Sequence, residues 1–284
     1  MAVGCVDEDK DILEGCGKLV ELFYTSNSYD EDCLETNKRA VVYLPTGYED
    51  GDESYNLLVL MHGGGCDEAD LFGGVEGCTD LKGILDHMIR RGEIEPLIVV
   101  TPTFYFQGTE EALTSTKDAR LLTENFHQEL IKDLLPAVEK RFRVKNSRES
   151  RGFGGFSMGS EATWNVFARC LREFKYFLPM CGDYWVVQLK GGQECPVETV
   201  DHLVSAVEEA GVDFKIAACV GDRDIAYEAM DSMLREMKKR EVFVFGEDFL
   251  QGNVVYYGHP GGQHVREYLH IYVKKVLPMF FQEQ

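Results

Sequence analysis

Apolar and polar positions along the chain fall into short, nearly continuous hydrophobic runs separated by longer stretches with helical spacing. Lys18–Thr25 and Lys38–Leu44, rich in β-branched and aromatic residues, read as strands with a turn region between them. Tyr55–Met61 and Leu97–Thr101 are apolar at almost every position, the pattern of a strand buried on both faces of a largely parallel sheet. Arg151–Phe156, Tyr176–Pro179, Asp213–Val220 and Asn253–Tyr257 complete the strands. Between them lie helical stretches. Thr79–Arg91 places Leu81, Ile84, Leu85, Met88 and Ile89 on one side, with Thr79 as its cap. Asn125–Phe142 carries Pro136, which is expected to kink or restart the helix. Glu161–Leu171, Val197–Ala210 and a C-terminal helix from about His264 to Phe281 follow the same logic. Met230, Met233, Leu234 and Met237 form a core-facing stripe at i, i+3, i+4, i+7 on the helix after Asp224. Strand and helix alternate throughout, which predicts βαβ units around a mostly parallel sheet. Residues 1–17 are acidic and unpatterned, read as a loose extension, and 18–284 read as one α/β domain.

Charge narrows the range of partners. The formal net charge of −20 disfavours nucleic acid and anionic membrane surfaces, whose binding depends on Lys and Arg neutralising phosphates. A neutral substrate is compatible with it. No apolar run approaches the ~18–20 residues needed to span a membrane. The first residues, MAVGCVDEDKD, lack the basic and apolar segments of a signal peptide. The nine cysteines form no Cys-x-x-Cys pair and no zinc-ligand spacing, and Cys170, Cys181 and Cys219 sit among apolar residues. They read as reduced thiols used as small core residues, and the expected location is cytoplasmic. A chain whose leader had been removed would look the same and be secreted.

The chemistry centres on RGFGGFSMGS, residues 151–160. Gly155-Phe156-Ser157-Met158-Gly159 has the Gly-x-Ser-x-Gly spacing of a nucleophile elbow, a strained turn from strand to helix that presents a serine at its apex. A serine hydroxyl needs a base, and the base needs an orienting carboxylate. In open α/β sheets such groups lie just beyond the carboxyl ends of the strands. Asp222 and Asp224 both follow the strand that ends at Val220, and Asp224 is preferred because it stands further out in the turn. His259 and His264 both follow the last strand, and His264, after Gly-Gly-Gln, is preferred to His259 beside Pro260. His62 is read as support for the glycine run Gly63-Gly64-Gly65, whose Gly64 N–H joins that of Met158 as oxyanion donor. Phe104, Tyr105 and Trp185 lie in loops at strand exits, where they frame an aromatic slot or merely cover the core.

These residues, with RAVVYLPTGY, LLVLMHGGG, YFLPMCGDYW, GDRDIAY and GGQH, make the chain resemble a feruloyl esterase of carbohydrate esterase family 1 from about Val20 to Phe281. That group is also similar to esterase D and the mycolyltransferases. The resemblance implies an α/β-hydrolase fold with helices on both faces of the sheet. It also implies Ser157 as nucleophile, Asp224 as acid, His264 as base, and Gly64 and Met158 as oxyanion donors. No metal or cofactor is implied. Two departures stand out: Cys181 replaces a smaller Ser or Ala, and Asp222 gives the acid turn a second carboxylate. The expected activity is hydrolysis of hydroxycinnamoyl esters on plant arabinoxylan through an acyl-serine. Acetyl, small-acyl or thioester hydrolysis, acyl transfer, and an inactive carbohydrate-binding module are the alternatives.

Overall fold

The computed structural model describes residues 16–29, 34–77, 80–106 and 116–282. Thr79 and most of the acidic N-terminal segment lie outside the described residues. The last part of that segment is anchored: the Gly17 amide donates to the buried Asp86 Oδ1 at 2.6 Å.

Among the described residues, nine strands form one sheet in the order β1-β2-β4-β3-β5-β6-β7-β9-β8. They are β1 (Lys18–Asn27), β2 (Glu35–Leu44), β3 (Asn56–Met61), β4 (Leu97–Thr101), β5 (Arg151–Phe156), β6 (Tyr176–Met180), β7 (Lys215–Gly221), β8 (Phe245–Gly246) and β9 (Val254–His259). β1 and β2 pair antiparallel, as do β2 and β4, whereas every pairing from β4 through β8 is parallel. Every residue of β3, β4, β5 and β6 is buried, the polar Asn56, Thr101 and Arg151 at their ends included, as befits the interior strands of a parallel sheet. β1 instead alternates buried and exposed positions at the sheet edge.

The helices are α1 (Asp80–Arg90), α2 (Thr116–Glu129), α3 (Leu135–Arg141), α4 (Met158–Cys170), α5 (Gly191–Glu194), α6 (Pro196–Ala210), α7 (Tyr227–Met237) and α8 (Glu267–Val276). α1 packs with α8 in one layer, and α2, α4, α6 and α7 pack together in the other. Pro136 does not break the chain's helical course. A wide turn at Leu130–Leu134 joins α2 to α3, and Pro136 falls in the first turn of α3, where its missing N–H is not needed. The methionine stripe of α7 is wholly buried, as its spacing predicts.

Chain order reverses between β3 and β5: β4 lies on one side of β3, and β5, β6 and β7 continue on the other. Such a reversal leaves a crevice beyond the carboxyl ends of the two strands. The glycine loop after β3 and the serine turn after β5 both open into it.

Candidate active site

Ser157 links β5 to α4 with φ 57° and ψ −118°, a conformation that an L-residue adopts only under constraint. The constraint comes from the glycines two residues to each side. A methyl group at Gly155 would lie 2.5 Å from the Gly159 carbonyl oxygen, and one at Gly159 would lie 2.6 Å from that of Met61. Strand and helix therefore cross closely enough to push the serine outward. The Ser157 amide donates to the Met180 carbonyl at 2.9 Å, which ties the turn to β6. Ser157 also sits at the amino end of α4, where helix dipole and unpaired N–H groups favour negative charge.

His264 Nε2 lies 2.8 Å from Ser157 Oγ, and its Nδ1 lies 2.7 Å from Asp224 Oδ1. A carboxylate only accepts, so Nδ1 carries the hydrogen and Nε2 is left as the acceptor for the serine hydroxyl. The Asp224 side chain is fully buried, and that of His264 is 21% exposed. Asp224 Oδ1 also accepts from the Ala226 amide at 2.8 Å, which fixes the carboxylate in its turn. Asp222 points elsewhere, accepting from the Gly261 amide at 2.6 Å. His259 likewise turns away, its Nδ1 lying 2.8 Å from the Tyr257 hydroxyl. The Phe156 ring packs against the His264 imidazole with centroids 4.9 Å apart. Cys181 Sγ lies within 4.8 Å of the ligand atoms of Asp224 and His264, and burial beside that carboxylate pushes its thiol far up. It is a neutral filler there.

The glycine loop is held from behind. His62 is buried, with Nδ1 2.7 Å from the Gly63 carbonyl and Nε2 2.8 Å from Thr103 Oγ1. The carbonyl can only accept, so Nδ1–H donates to it and Nε2 accepts the Thr103 hydroxyl hydrogen. Burial pushes the His62 pKa down, which keeps this tautomer neutral. The Thr103 carbonyl in turn accepts from the buried Lys38 ammonium at 2.6 Å, and Lys38 pairs with Glu129. Gly64 lies against Met158: a methyl group there would be 2.8 Å from Met158 Sδ. The glycine loop and the residue after the nucleophile are thus in contact at the mouth of the crevice.

The three aromatic candidates fare differently. Phe104 is 1% exposed and packs on His62 with centroids 4.6 Å apart, so it offers no face to a substrate. Tyr105 is 2% exposed, and its hydroxyl accepts from the Gly65 amide at 2.9 Å. Phe104 is corrected to a support of the glycine loop, because the chain turns it inward immediately after β4; Tyr105 braces the same loop while lining a hollow of about 430 Å3 with Cys66, Asp70 and Arg266. Trp185 stays half-buried, with its indole N–H donating to Asp183 Oδ1 at 3.0 Å. A cavity of about 360 Å3 opens directly on Ser157 and His264, and its walls include Cys66, Asp70, Arg266 and Glu267. None of these four is singled out by the sequence motifs, although Arg266 and Glu267 stand only two and three residues past His264.

The class of protein is set by this architecture: an α/β hydrolase, with its serine elbow at the switch point of a mostly parallel sheet. The Esterase family model matches residues 32–270, and the chain belongs to that family. It is 34% identical over 280 residues to endo-1,4-beta-xylanase Y of Acetivibrio thermocellus, covering 94% of this chain and 23% of that protein. An endo-1,4-beta-xylanase/feruloyl esterase of Xylanibacter ruminicola is 30% identical over 200 residues, covering 64% of this chain and 26% of that protein. The chain thus spans about a quarter of the length of these curated relatives. Among solved structures, a serine-to-alanine mutant of the feruloyl esterase module from Clostridium thermocellum, complexed with sinapinate, superposes with a TM-score of 0.80. Identity there is 34%, with 95% of this chain and 89% of that chain covered. The resemblance to feruloyl esterases drawn from the motifs is borne out. Among the described residues, no helix is long and apolar enough to cross a membrane.

Proposed function

We propose that this chain hydrolyses feruloyl and related hydroxycinnamoyl esters of plant arabinoxylan, with residues 18–284 acting as one catalytic unit. The observation that carries the reading is the Ser157–His264–Asp224 chain of hydrogen bonds, 2.8 and 2.7 Å long, at the rim of the sheet. His264 Nε2 takes the Ser157 proton as Oγ attacks the ester carbonyl. Asp224, fixed by the Ala226 amide, steadies the imidazolium that forms. The tetrahedral oxyanion draws on the N–H groups of Gly64 and Met158 and on the amino end of α4. Collapse expels the alcohol, which receives its proton from His264. Water then enters and attacks the acyl carbonyl as it gives a proton to His264, and collapse breaks the acyl–Oγ bond, releasing the hydroxycinnamic acid while His264 returns the proton to Ser157 Oγ.

The half-buried Trp185 face is the aromatic surface left for the acyl ring once Phe104 and Tyr105 are committed to the loop. Identity of 34% to a feruloyl esterase module, across nearly the whole of both chains, supports that choice of acyl group. Cys66, Cys170, Cys181, Cys195 and Cys219 carry free thiols, which suits a reducing compartment and soluble feruloyl oligosaccharides as substrates. Turnover of methyl ferulate and of an acetyl ester tests the reading, with Ser157→Ala as the control. Ferulate hydrolysis that falls at least about ten-thousand-fold in Ser157→Ala is expected. Acetate release without ferulate release would replace the feruloyl reading by a small-acyl one.

A further inference from the structure

We propose that Cys181, Asp224 and His264 form a binding site for zinc or a similarly thiophilic divalent cation, which reversibly shuts the triad down when it binds. The inhibition rests on the serine-hydrolase reading above; the binding does not. Cys181 Sγ, an imidazole nitrogen of His264 and a carboxylate oxygen of Asp224 all lie within 4.8 Å of one another. Thiolate, imidazole and carboxylate are the donors that zinc takes from proteins. Around a tetrahedral zinc, with bonds of about 2.0–2.3 Å, donor atoms stand about 3.3–3.8 Å apart. The three atoms therefore reach a common ion by shifts of about an ångström, with the fourth position left to water. Magnesium and calcium prefer six or more oxygens, and this donor set offers them one carboxylate.

Two features point to a cation here rather than to packing alone. Asp224 Oδ1 is spent on His264 and the Ala226 amide, but Oδ2 is buried with no hydrogen-bond partner among the described residues. A buried carboxylate oxygen left unpaired is costly, and a cation satisfies it. The second feature is the thiol beside it. Cys181 is 1% exposed, and its amide donates to the Cys219 carbonyl at 2.8 Å, which fixes the residue just past the carboxyl end of β6. Its Sγ donates to the Tyr272 hydroxyl at 3.8 Å. Once the thiol is ionised, that hydroxyl can turn its own hydrogen toward the sulfur, as groups behind a metal ligand commonly do. Without an ion the thiol stays protonated, because burial and the Asp224 charge oppose a second anion. A divalent cation reverses the balance: its two charges match one carboxylate and one thiolate, so the occupied site is neutral.

The movement of protons explains the inhibition. The ion enters past His264, whose side chain is 21% exposed and lines the cavity beside Ser157. The Cys181 proton leaves to solvent. His264 stays neutral, but Nδ1, the nitrogen that faces Asp224, gives its lone pair to the metal, and the ring hydrogen moves to Nε2. Nε2–H then meets Ser157 Oγ as a donor and cannot take the hydroxyl proton. The base is still in place, but in the wrong tautomer.

The test uses the full chain in a phosphine reductant, stripped of metal with EDTA. Methyl ferulate turnover is followed against Zn2+, Mg2+ and Ca2+ in wild type, Cys181→Ser and Cys66→Ser, each relative to its own metal-free rate. Cys66 lines the cavity with Asp70, so its variant controls for a rival zinc site there. Zinc should inhibit wild type and Cys66→Ser alike, EDTA should restore both, and magnesium and calcium should have no effect. Losing a group that only hydrogen-bonds a metal ligand costs about 10–100-fold in affinity, so losing the thiolate in Cys181→Ser should weaken inhibition at least about a hundredfold. Cys181→Ala, which has no donor at all, should behave the same way. A second readout needs no turnover: Co2+ should give wild type and Cys66→Ser a thiolate-to-cobalt absorption in the near ultraviolet that both Cys181 variants lack. Zinc that fails to inhibit, inhibition that only Cys66→Ser relieves, or a cobalt band that survives in the Cys181 variants overturns the site. If wild type does not hydrolyse methyl ferulate, the feruloyl reading falls and the cobalt band still decides the metal site.

Discussion

At the scale of single residues, this site separates carboxyl groups by what surrounds them. Asp224 keeps one oxygen on His264 and the Ala226 amide, whereas Asp222 spends its oxygen on the Gly261 turn two residues away. Nothing in the string Gly221-Asp222-Arg223-Asp224 distinguishes them beyond position; the turn geometry does. Glu161, in the first turn of α4, is a third kind. It is 3% exposed, its Oε2 has no hydrogen-bond partner among the described residues, and Asp183 lies near it. Burial, reinforced by the Asp183 charge, pushes its pKa well above the ordinary glutamate value. The folded state therefore holds a proton that the unfolded chain loses above about pH 4.5. Between that value and the folded pKa, the unfolded state binds fewer protons, so stability falls as pH rises. Glu161→Gln removes the titration and keeps the shape. Its unfolding free energy, from urea melts at several pH values, should exceed that of wild type at pH 8. The gap should close as pH falls toward 4.5. A gap independent of pH would mean that Glu161 is not held protonated.

At the scale of elements, the crossing of β5 and α4 organises the site, and its tolerance to added atoms is specific. A methyl group on Gly159 meets the carbonyl oxygens of Met61 and His62 at 2.6 and 2.7 Å, both backbone atoms that cannot swing aside. Gly83, inside α1, has open space around the same position. Gly159→Ala should therefore destabilise by about 3 kcal/mol by overpacking. Gly83→Ala should stabilise by about 0.5–1 kcal/mol through helix propensity. Denaturant unfolding of the two variants checks both signs, and a stable Gly159→Ala would remove the close crossing from the account of the elbow. This same element shows why so much was legible beforehand. Unbroken apolar runs can only be interior strands, and Gly-x-Ser-x-Gly states its own steric demand. The polar residues Glu35, Thr36 and Asn37 read as turn yet form the start of β2, because backbone pairing to β1 holds them with their side chains outside. The two-residue β8 is too short to carry any period, and the wide turn at Leu130–Leu134 leaves no mark on side-chain spacing. Aromatic character placed Phe104 and Tyr105 near the site correctly but said nothing of which way they face. Both rings pack on His62, and nothing in the loop that follows β4 tells that the Thr103 hydroxyl holds that histidine.

At the scale of the whole molecule, 49 acidic side chains stand against 29 basic ones, and this excess competes with the ion pairs drawn across the surface. Arg39 reaches Glu21 and Glu68, Arg148 and Lys175 share Asp213, and Arg240 holds Asp201 and Glu236. Most involve a substantially exposed partner and contribute little each. Salt acts on both contributions with opposite sign. It weakens the pairs, which lowers stability, and it screens the repulsion among unpaired carboxylates, which raises it. The pairs are short-range contacts near 3 Å, inside any Debye length, whereas the repulsion is summed over separations of many ångströms. Going from 0.01 to 0.15 M ionic strength shortens the Debye length from about 30 to about 8 Å, which removes mainly the long-range repulsion. The melting temperature should therefore rise over that interval, by about 2–4 °C for each kcal/mol of repulsion relieved. Sodium chloride is the salt to use, since sulfate would strengthen apolar burial independently. Thermal unfolding at pH 7.5 across the interval decides it: a melting temperature that falls would mean that the surface pairs, not the acidic excess, govern this protein's electrostatics.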